Sequence, residues 1–147
     1  MLSTIESHQT SYAGEPIFPN ILIVDDKREN HRAIENVLSN LNANIFTACS
    51  GEGALSLTLR HRFAVILLDV MMPKMDGFEL AQELRTNPVT DQIPLVLLTA
   101  RGDRESRIKG WQQNVDEYLS KPFDSEELKL RLDNLLEIRN IVKKRFA

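Results

Sequence analysis

Three short, wholly apolar runs constrain this chain more than any other feature: Ile21-Leu22-Ile23-Val24, Val65-Ile66-Leu67-Leu68 and Leu95-Val96-Leu97-Leu98. Successive side chains of a strand face opposite ways, so a half-exposed strand alternates apolar and polar residues. A run without alternation must be covered on both sides, which is the condition of a strand inside a parallel sheet. Each run also meets a polar residue at its end: Asp25 and Asp26 after the first, Asp69 after the second, Thr99 after the third. Asn44 to Ala48 and Glu117 to Leu119 are weaker strand candidates.

Helical periodicity fills the intervals. Ala33, Ile34, Val37, Leu38 and Leu41 form an apolar stripe. Ala54, Leu55, Leu57 and Leu59 follow Ser50, a residue type suited to an N-cap. Phe78, Ala81 and Leu84 share one face, and Pro88 ends that helix. Ile108, Trp111 and Val115 make a thinner stripe, with Asn114 suited to a left-handed closing residue. The last helix is predicted from Ser125 to Phe146 through Leu128, Leu132 and Leu135, with Asp124 and Glu127 at near capping-box spacing. Five strands alternating with five helices imply right-handed βαβ units. The expected fold is α/β: a doubly wound five-stranded parallel sheet with helices on both faces.

The 147 residues suffice for one such domain with short extensions. Residues 1–19 are polar and aperiodic, with Pro16 and Pro19, and read as a linker or tail. The domain is expected over 20–137. Residues 138–147 form the projecting end of the last helix, because about 33 Å of helix exceeds the roughly 17–20 Å of the strands. Ile138, Ile141, Val142 and Phe146 make a stripe on that end, expected to pair with a second copy as a homodimer or to lead into an output domain. A net charge of −3 carries no electrostatic footprint for direct nucleic-acid binding. No apolar run approaches the roughly 20 residues that span a bilayer, so membrane insertion is not expected. Met1 to Ser11 lacks the basic start and apolar stretch of a secretion signal. With a single cysteine, Cys49, these features point to a cytoplasmic location.

In a doubly wound sheet the strand-end residues Asp25, Asp26, Asp69, Thr99 and Lys121 all fall at the carboxyl edge, where such folds bind ligands. Three carboxylates in one crevice either rise in pKa or share a cation. Oxygen-only ligands favour a hard cation, and Mg²⁺ takes one or two carboxylates, waters and a phosphate oxygen. A dinucleotide or flavin is disfavoured. Its phosphates need a glycine-rich turn after the first strand, where this chain has Asp25-Asp26-Lys27-Arg28 and no glycine until Gly51. A carboxylate can act as a nucleophile towards phosphorus, helped by Mg²⁺, the Lys121 ammonium and the Thr99 hydroxyl.

Val24-Asp25-Asp26, Leu67-Leu68-Asp69-Val70-Met71-Met72-Pro73-Lys74-Met75-Asp76-Gly77, Leu98-Thr99-Ala100 and Tyr118-Leu119-Ser120-Lys121-Pro122-Phe123 closely resemble the response-regulator receiver family of two-component signalling. The match runs in order from about Asn20 to Glu137, and is strongest to receivers of hybrid sensor kinases and multi-domain regulators. The resemblance implies a flavodoxin-like strand order 2-1-3-4-5. It implies that Asp69 accepts a phosphoryl group from a histidine kinase or phosphotransfer domain, and that the switched chain signals to an output domain or partner protein. Asp26, Asp69 and the Met71 backbone carbonyl would hold magnesium directly, with Asp25 acting through water. Lys121 would bind the phosphoryl group, Thr99 and Tyr118 would form a switch pair, and the bond before Pro122 would be cis. Such a domain is not a conventional enzyme; it assists its own phosphorylation and dephosphorylation. Met71 and Arg101 stand at variable positions expected to set the dephosphorylation rate, and Gly53 weakens the start of the second helix.

A haloacid-dehalogenase-type hydrolase would need an acid two residues past its nucleophile, where this chain has Met71. A purely structural pseudo-receiver would lack the acceptor or acid pair, and both are present. His8, His31 and His61 are read as surface residues, Cys49 as a small core residue, Trp111 as packing or partner contact, and Arg101 to Lys109 as a solvated helix face.

Overall fold

The computed structural model describes residues 18–99, 108, 109, 112, 114–122 and 124–146, with side chains up to residue 137. Its strands are β1 (Asn20–Val24), β2 (Asn44–Ala48), β3 (Val65–Asp69), β4 (Leu95–Thr99) and β5 (Glu117–Ser120). Its helices are α1 (Arg28–Leu38), α2 (Gly51–Thr58), α3 (Gly77–Thr86) and α4 (Ser125–Phe146). All pairings are parallel, in the order β2-β1-β3-β4-β5, which is the predicted order.

The apolar runs are buried at every position, as their lack of alternation requires. Strand parity divides them between two cores. Leu22, Val24, Ile66, Leu68, Leu95 and Leu97 face Ala54 of α2 and Phe78, Leu80, Ala81 and Leu84 of α3. Ile21, Ile23, Val65, Leu67, Val96 and Leu98 face Ile34 and Leu38 of α1 and Leu128 and Leu132 of α4. Each fully buried Leu or Ile contributes about 1.5–3 kcal/mol, so neither layer of helices is dispensable. At the amino edge the Asn44 amide donates to Asn20 Oδ1 at 3.1 Å, and the Asn20 amide to the Arg62 carbonyl at 2.8 Å. The Asn44–Asn20 bond ties β2 to β1 in this register, because a slip would separate the two side chains.

Several local expectations are corrected. Of the stripe expected in α2, Ala54 is buried and Leu55 and Leu57 pack against the core as expected, but Leu59 is 79% exposed, and Gly51 and Thr58 are buried instead. The helix is only eight residues long, and its inward line follows the i, i+4 pair Ala54–Thr58. Cys49 is exposed, because it continues the outward phase of β2, whose buried residues are Asn44, Phe46 and Ala48. His31 is buried, and the half-buried His61 ring lies 4.6 Å from that of Phe46. Asp124 caps α4 through the Glu126 amide at 2.8 Å rather than through that of Glu127. The full capping box is on α3 instead, between Asp76 and Glu79.

Ser50 caps α2 by accepting from the Gly53 amide at 3.0 Å, as predicted. Most of the helix predicted between β4 and β5, including Trp111, lies outside the described residues, as do His8 and Arg101. Of its stripe, Ile108 is exposed and Val115 buried, and Asn114 has a φ of 58°, the left-handed closing conformation. No helix among the described residues is long and apolar enough to cross a membrane.

Candidate functional site

Strand register assembles the site. Val24 pairs with Leu68, so Asp25 leaves β1 beside Asp69 at the end of β3. Thr99 ends β4 opposite Ser120, so Lys121 leaves β5 at the same edge. The Lys121–Pro122 bond is cis, and the Lys121 amide donates to the Thr99 carbonyl. Thr99 is buried; Tyr118 is half-buried and packs against the core shared with α2 and α3.

Asp25, Asp26 and Asp69 each offer a carboxylate oxygen within 4.8 Å of the others. Lys121 Nζ lies between two of them, 3.1 Å from Asp25 Oδ2 and 3.0 Å from Asp69 Oδ1. Asp26 differs: its Oδ1 is buried and has no hydrogen-bond donor among the described residues. A buried anionic oxygen without a donor is costly, and a cation among the three carboxylates removes that cost. Three carboxylates against one ammonium leave two net negative charges, a match for a divalent ion. The all-oxygen set suits a hard cation.

Burial pushes the Asp69 carboxyl above its ordinary 3.8, with the neighbouring charges of Asp25 and Asp26 adding to the rise and Lys121 opposing it. Burial acts downward on the Lys121 ammonium. The hydrogen bonds and charges of Asp69 and Asp25 together outweigh it, so Lys121 stays above its ordinary 10.5 and charged.

The connection from β3 to α3 folds tightly under the end of β3. Asp76 caps α3 by accepting from the Glu79 amide at 2.8 Å, and Glu79 accepts from the Asp76 amide at 3.1 Å. Gly77 then passes so close to β3 that a Cβ there would lie 2.5 Å from the Asp69 carbonyl oxygen. Its amide donates to the Val70 carbonyl at 3.0 Å. Met71 is exposed at the mouth of a groove that Val70, Met72, Pro73, Phe78 and Lys109 also line, with Lys109 Nζ 4.9 Å over the Phe78 ring.

The structure thus brings together Asp25, Asp26, Asp69 and Lys121, with Thr99 at the same edge. Sequence reasoning missed two neighbours on the first turns of α1. The Asn30 amide donates to Asp25 Oδ2 at 2.9 Å, and His31 Nε2–H donates to the Asp25 carbonyl at 2.6 Å. A polar pair one turn into a helix that follows an acidic strand end was the available signal.

Comparison with known proteins agrees with this geometry. The family profile described as "Response regulator receiver domain" matches residues 21–133. The chain is 38% identical over 116 residues to the transcriptional regulatory protein SrrA of Staphylococcus aureus, covering 79% of this chain and 47% of that protein. It therefore spans about half the length of the curated relatives it matches. Among solved structures, chemotaxis protein CheY4 of Vibrio cholerae superposes with a TM-score of 0.76 at 30% identity, covering 81% of this chain and 99% of that one. The Francisella response regulator 1452 receiver domain gives 0.76 at 30% identity, covering 82% and 98%. With its strand order, its acidic crevice and these matches, the chain belongs to the response-regulator receiver family of two-component signalling.

Proposed function

We propose that this chain is a Mg²⁺-dependent phosphoacceptor switch in which Asp69 takes a phosphoryl group from the phosphohistidine of a kinase or phosphotransfer domain. The observation that carries the reading is the pairing of a lysine-bridged, buried acceptor carboxylate with the donorless Asp26 Oδ1 beside it. Asp26, Asp69 and the Met71 carbonyl would hold the ion, with Asp25 helping through water. When bound, Mg²⁺ supplies charge neutralisation for the phosphoryl oxygens.

This chain's residues do the rest. An Asp69 carboxylate oxygen attacks phosphorus, the new O–P bond forms as the P–N bond to imidazole breaks, and the leaving nitrogen takes its proton from solvent. Lys121, already 3.0 Å from Asp69 Oδ1, stabilises the charge on the transferred group. The Thr99 hydroxyl donates to a phosphoryl oxygen, and Tyr118 turns inward as Thr99 moves. Water entering past Met71 later hydrolyses the acyl phosphate, so the chain assists its own dephosphorylation without acting on an external substrate.

In this reading residues 20–137 form the switch, residues 1–19 a tail and residues 138–147 the lead towards an output domain or a second copy. The setting is cytoplasmic, and nucleic-acid contacts belong to the output partner. Intact mass after incubation with a small acyl phosphate tests the reading. One added phosphoryl group is expected with Mg²⁺, and none in chelator or in Asp69→Asn. Equal modification of Asp69→Asn refutes the acceptor assignment.

A further inference from the structure

Asp25 is the most deeply buried of the three carboxylates, at 1% exposure, and it is fully engaged by protein donors. The Lys27 amide donates to Oδ1 at 2.9 Å, and the Asn30 side chain and the Lys121 ammonium both donate to Oδ2, at 2.9 and 3.1 Å. Its main chain is tied as well, by His31 Nε2–H on the carbonyl and by its own amide on the Ala48 carbonyl at 3.1 Å. Its neighbour Asp26 has a buried oxygen with no donor among the described residues. Two adjacent aspartates of one loop are thus treated in opposite ways.

Asn30 is the residue that makes the difference on the α1 side. It occupies the third position of α1, whose N-cap residue Lys27 makes no side-chain cap. Its amide reaches back out of the helix to the oxygen that Lys121 also holds. Asparagine has modest helix propensity at such a position, so its side-chain bond is the reason for it there. A neutral donor orients the carboxylate without adding positive charge beside a cation site. A lysine or arginine would supply the same bond and cancel part of the two net negative charges.

We propose that Asn30 is a positioning residue for cation binding: by holding Asp25 Oδ2 beside Lys121, it keeps Asp25 on protein donors and leaves Asp26 Oδ1 as the oxygen presented to the ion. The inference rests on the reading above that the cluster takes Mg²⁺. Without Asn30, Asp25 turns on its remaining donors, draws Lys121 with it and disturbs the charge pattern that Asp26 and Asp69 present. Partners that orient metal ligands are typically worth 10–100-fold in affinity.

The test is Mg²⁺ titration of the unphosphorylated chain, read by calorimetry and by the amide resonance of Lys27, with urea unfolding alongside. Asn30→Leu keeps the volume and the helix but removes the donor, and Asn30→Ser is too short to reach Asp25. Both are expected to weaken Mg²⁺ binding about tenfold and to shift the Lys27 amide of the ion-free protein. The phosphorylation rate at saturating Mg²⁺ should return to within about twofold of wild type, the split expected of a residue acting on affinity alone. Affinity within twofold of wild type in both variants overturns the proposal. So does a loss of saturating rate that tracks a loss of stability, since that describes a purely structural residue. If wild type itself binds no Mg²⁺, the phosphoacceptor reading fails at its metal, and this inference with it.

Discussion

Gly77→Ala should destabilise the protein, although glycine to alanine inside a helix ordinarily does the reverse. The added Cβ would stand 2.5 Å from the Asp69 carbonyl oxygen, 2.9 Å from Val70 Cα and 3.0 Å from the Asp69 carbonyl carbon. Ordinary contact between carbon atoms begins at about 3.5 Å, and all three obstacles are main chain, so no side chain can swing aside. Overpacking of this kind costs about 1–3 kcal/mol. Alanine's advantage over glycine in a helix returns up to about 1 kcal/mol, less at a first-turn position. The net expectation is a loss of about 1–2 kcal/mol. Gly53→Ala is the control: its nearest neighbours are Ser50 Oγ at 3.2 Å and Ala48 Cβ at 3.8 Å, so it should be neutral or slightly stabilising. Urea unfolding should show a lower midpoint for Gly77→Ala at unchanged slope. Because two of the three displaced atoms belong to Asp69 and the third to the next residue, phosphorylation should also slow. A Gly77→Ala midpoint equal to or above wild type would refute the argument that this close approach is rigid.

Asp69→Asn should stabilise the ion-free protein at neutral pH. Burial raises the Asp69 carboxyl above 3.8, so the folded chain binds more protons than the unfolded chain between 3.8 and the raised value. Stability therefore falls as pH rises through that window, and above it the full penalty is present. The advantage of Asp69→Asn in urea unfolding should shrink as pH falls from the raised value towards 3.8 and be lost below it, and a variant less stable than wild type at pH 7 without divalent ions would contradict the assigned shift. Lys74, exposed in the β3–α3 loop, has a φ of 67°. Lys74→Gly should raise stability by about 0.5–1 kcal/mol, since glycine adopts that conformation without strain; a lower unfolding midpoint would show that the side chain itself contributes.

The sheet and its acidic edge were legible in the sequence because each depends on a one-dimensional signal. Unalternated runs such as Val65 to Leu68 can be stable only when covered on both faces, and a polar residue ending such a run is carried to the edge. The boundaries of the last helix followed from its unbroken helical pattern after Asp124. The residues misread were those whose environment is set by tertiary contact. His31 lies on a helix whose apolar stripe does not include it, and it is buried because its ring reaches the Asp25 carbonyl. Cys49 has a core residue's chemistry but the outward phase of a strand end. Asn30 looks like an ordinary polar helix residue until the α1 start is placed against the strand end. The steric demand at Gly77 is likewise invisible without the fold, because it arises between α3 and β3.

The central claim is that Asp69, among three clustered carboxylates, is the one that takes the phosphoryl group. Borohydride reduction converts an aspartyl phosphate to homoserine, and tandem mass spectrometry of the digested chain locates it. After incubation with acyl phosphate and Mg²⁺, homoserine is expected at position 69 alone, and nowhere when a chelator replaces the ion. Homoserine at position 25 or 26, or at 69 in equal yield without Mg²⁺, would contradict the account.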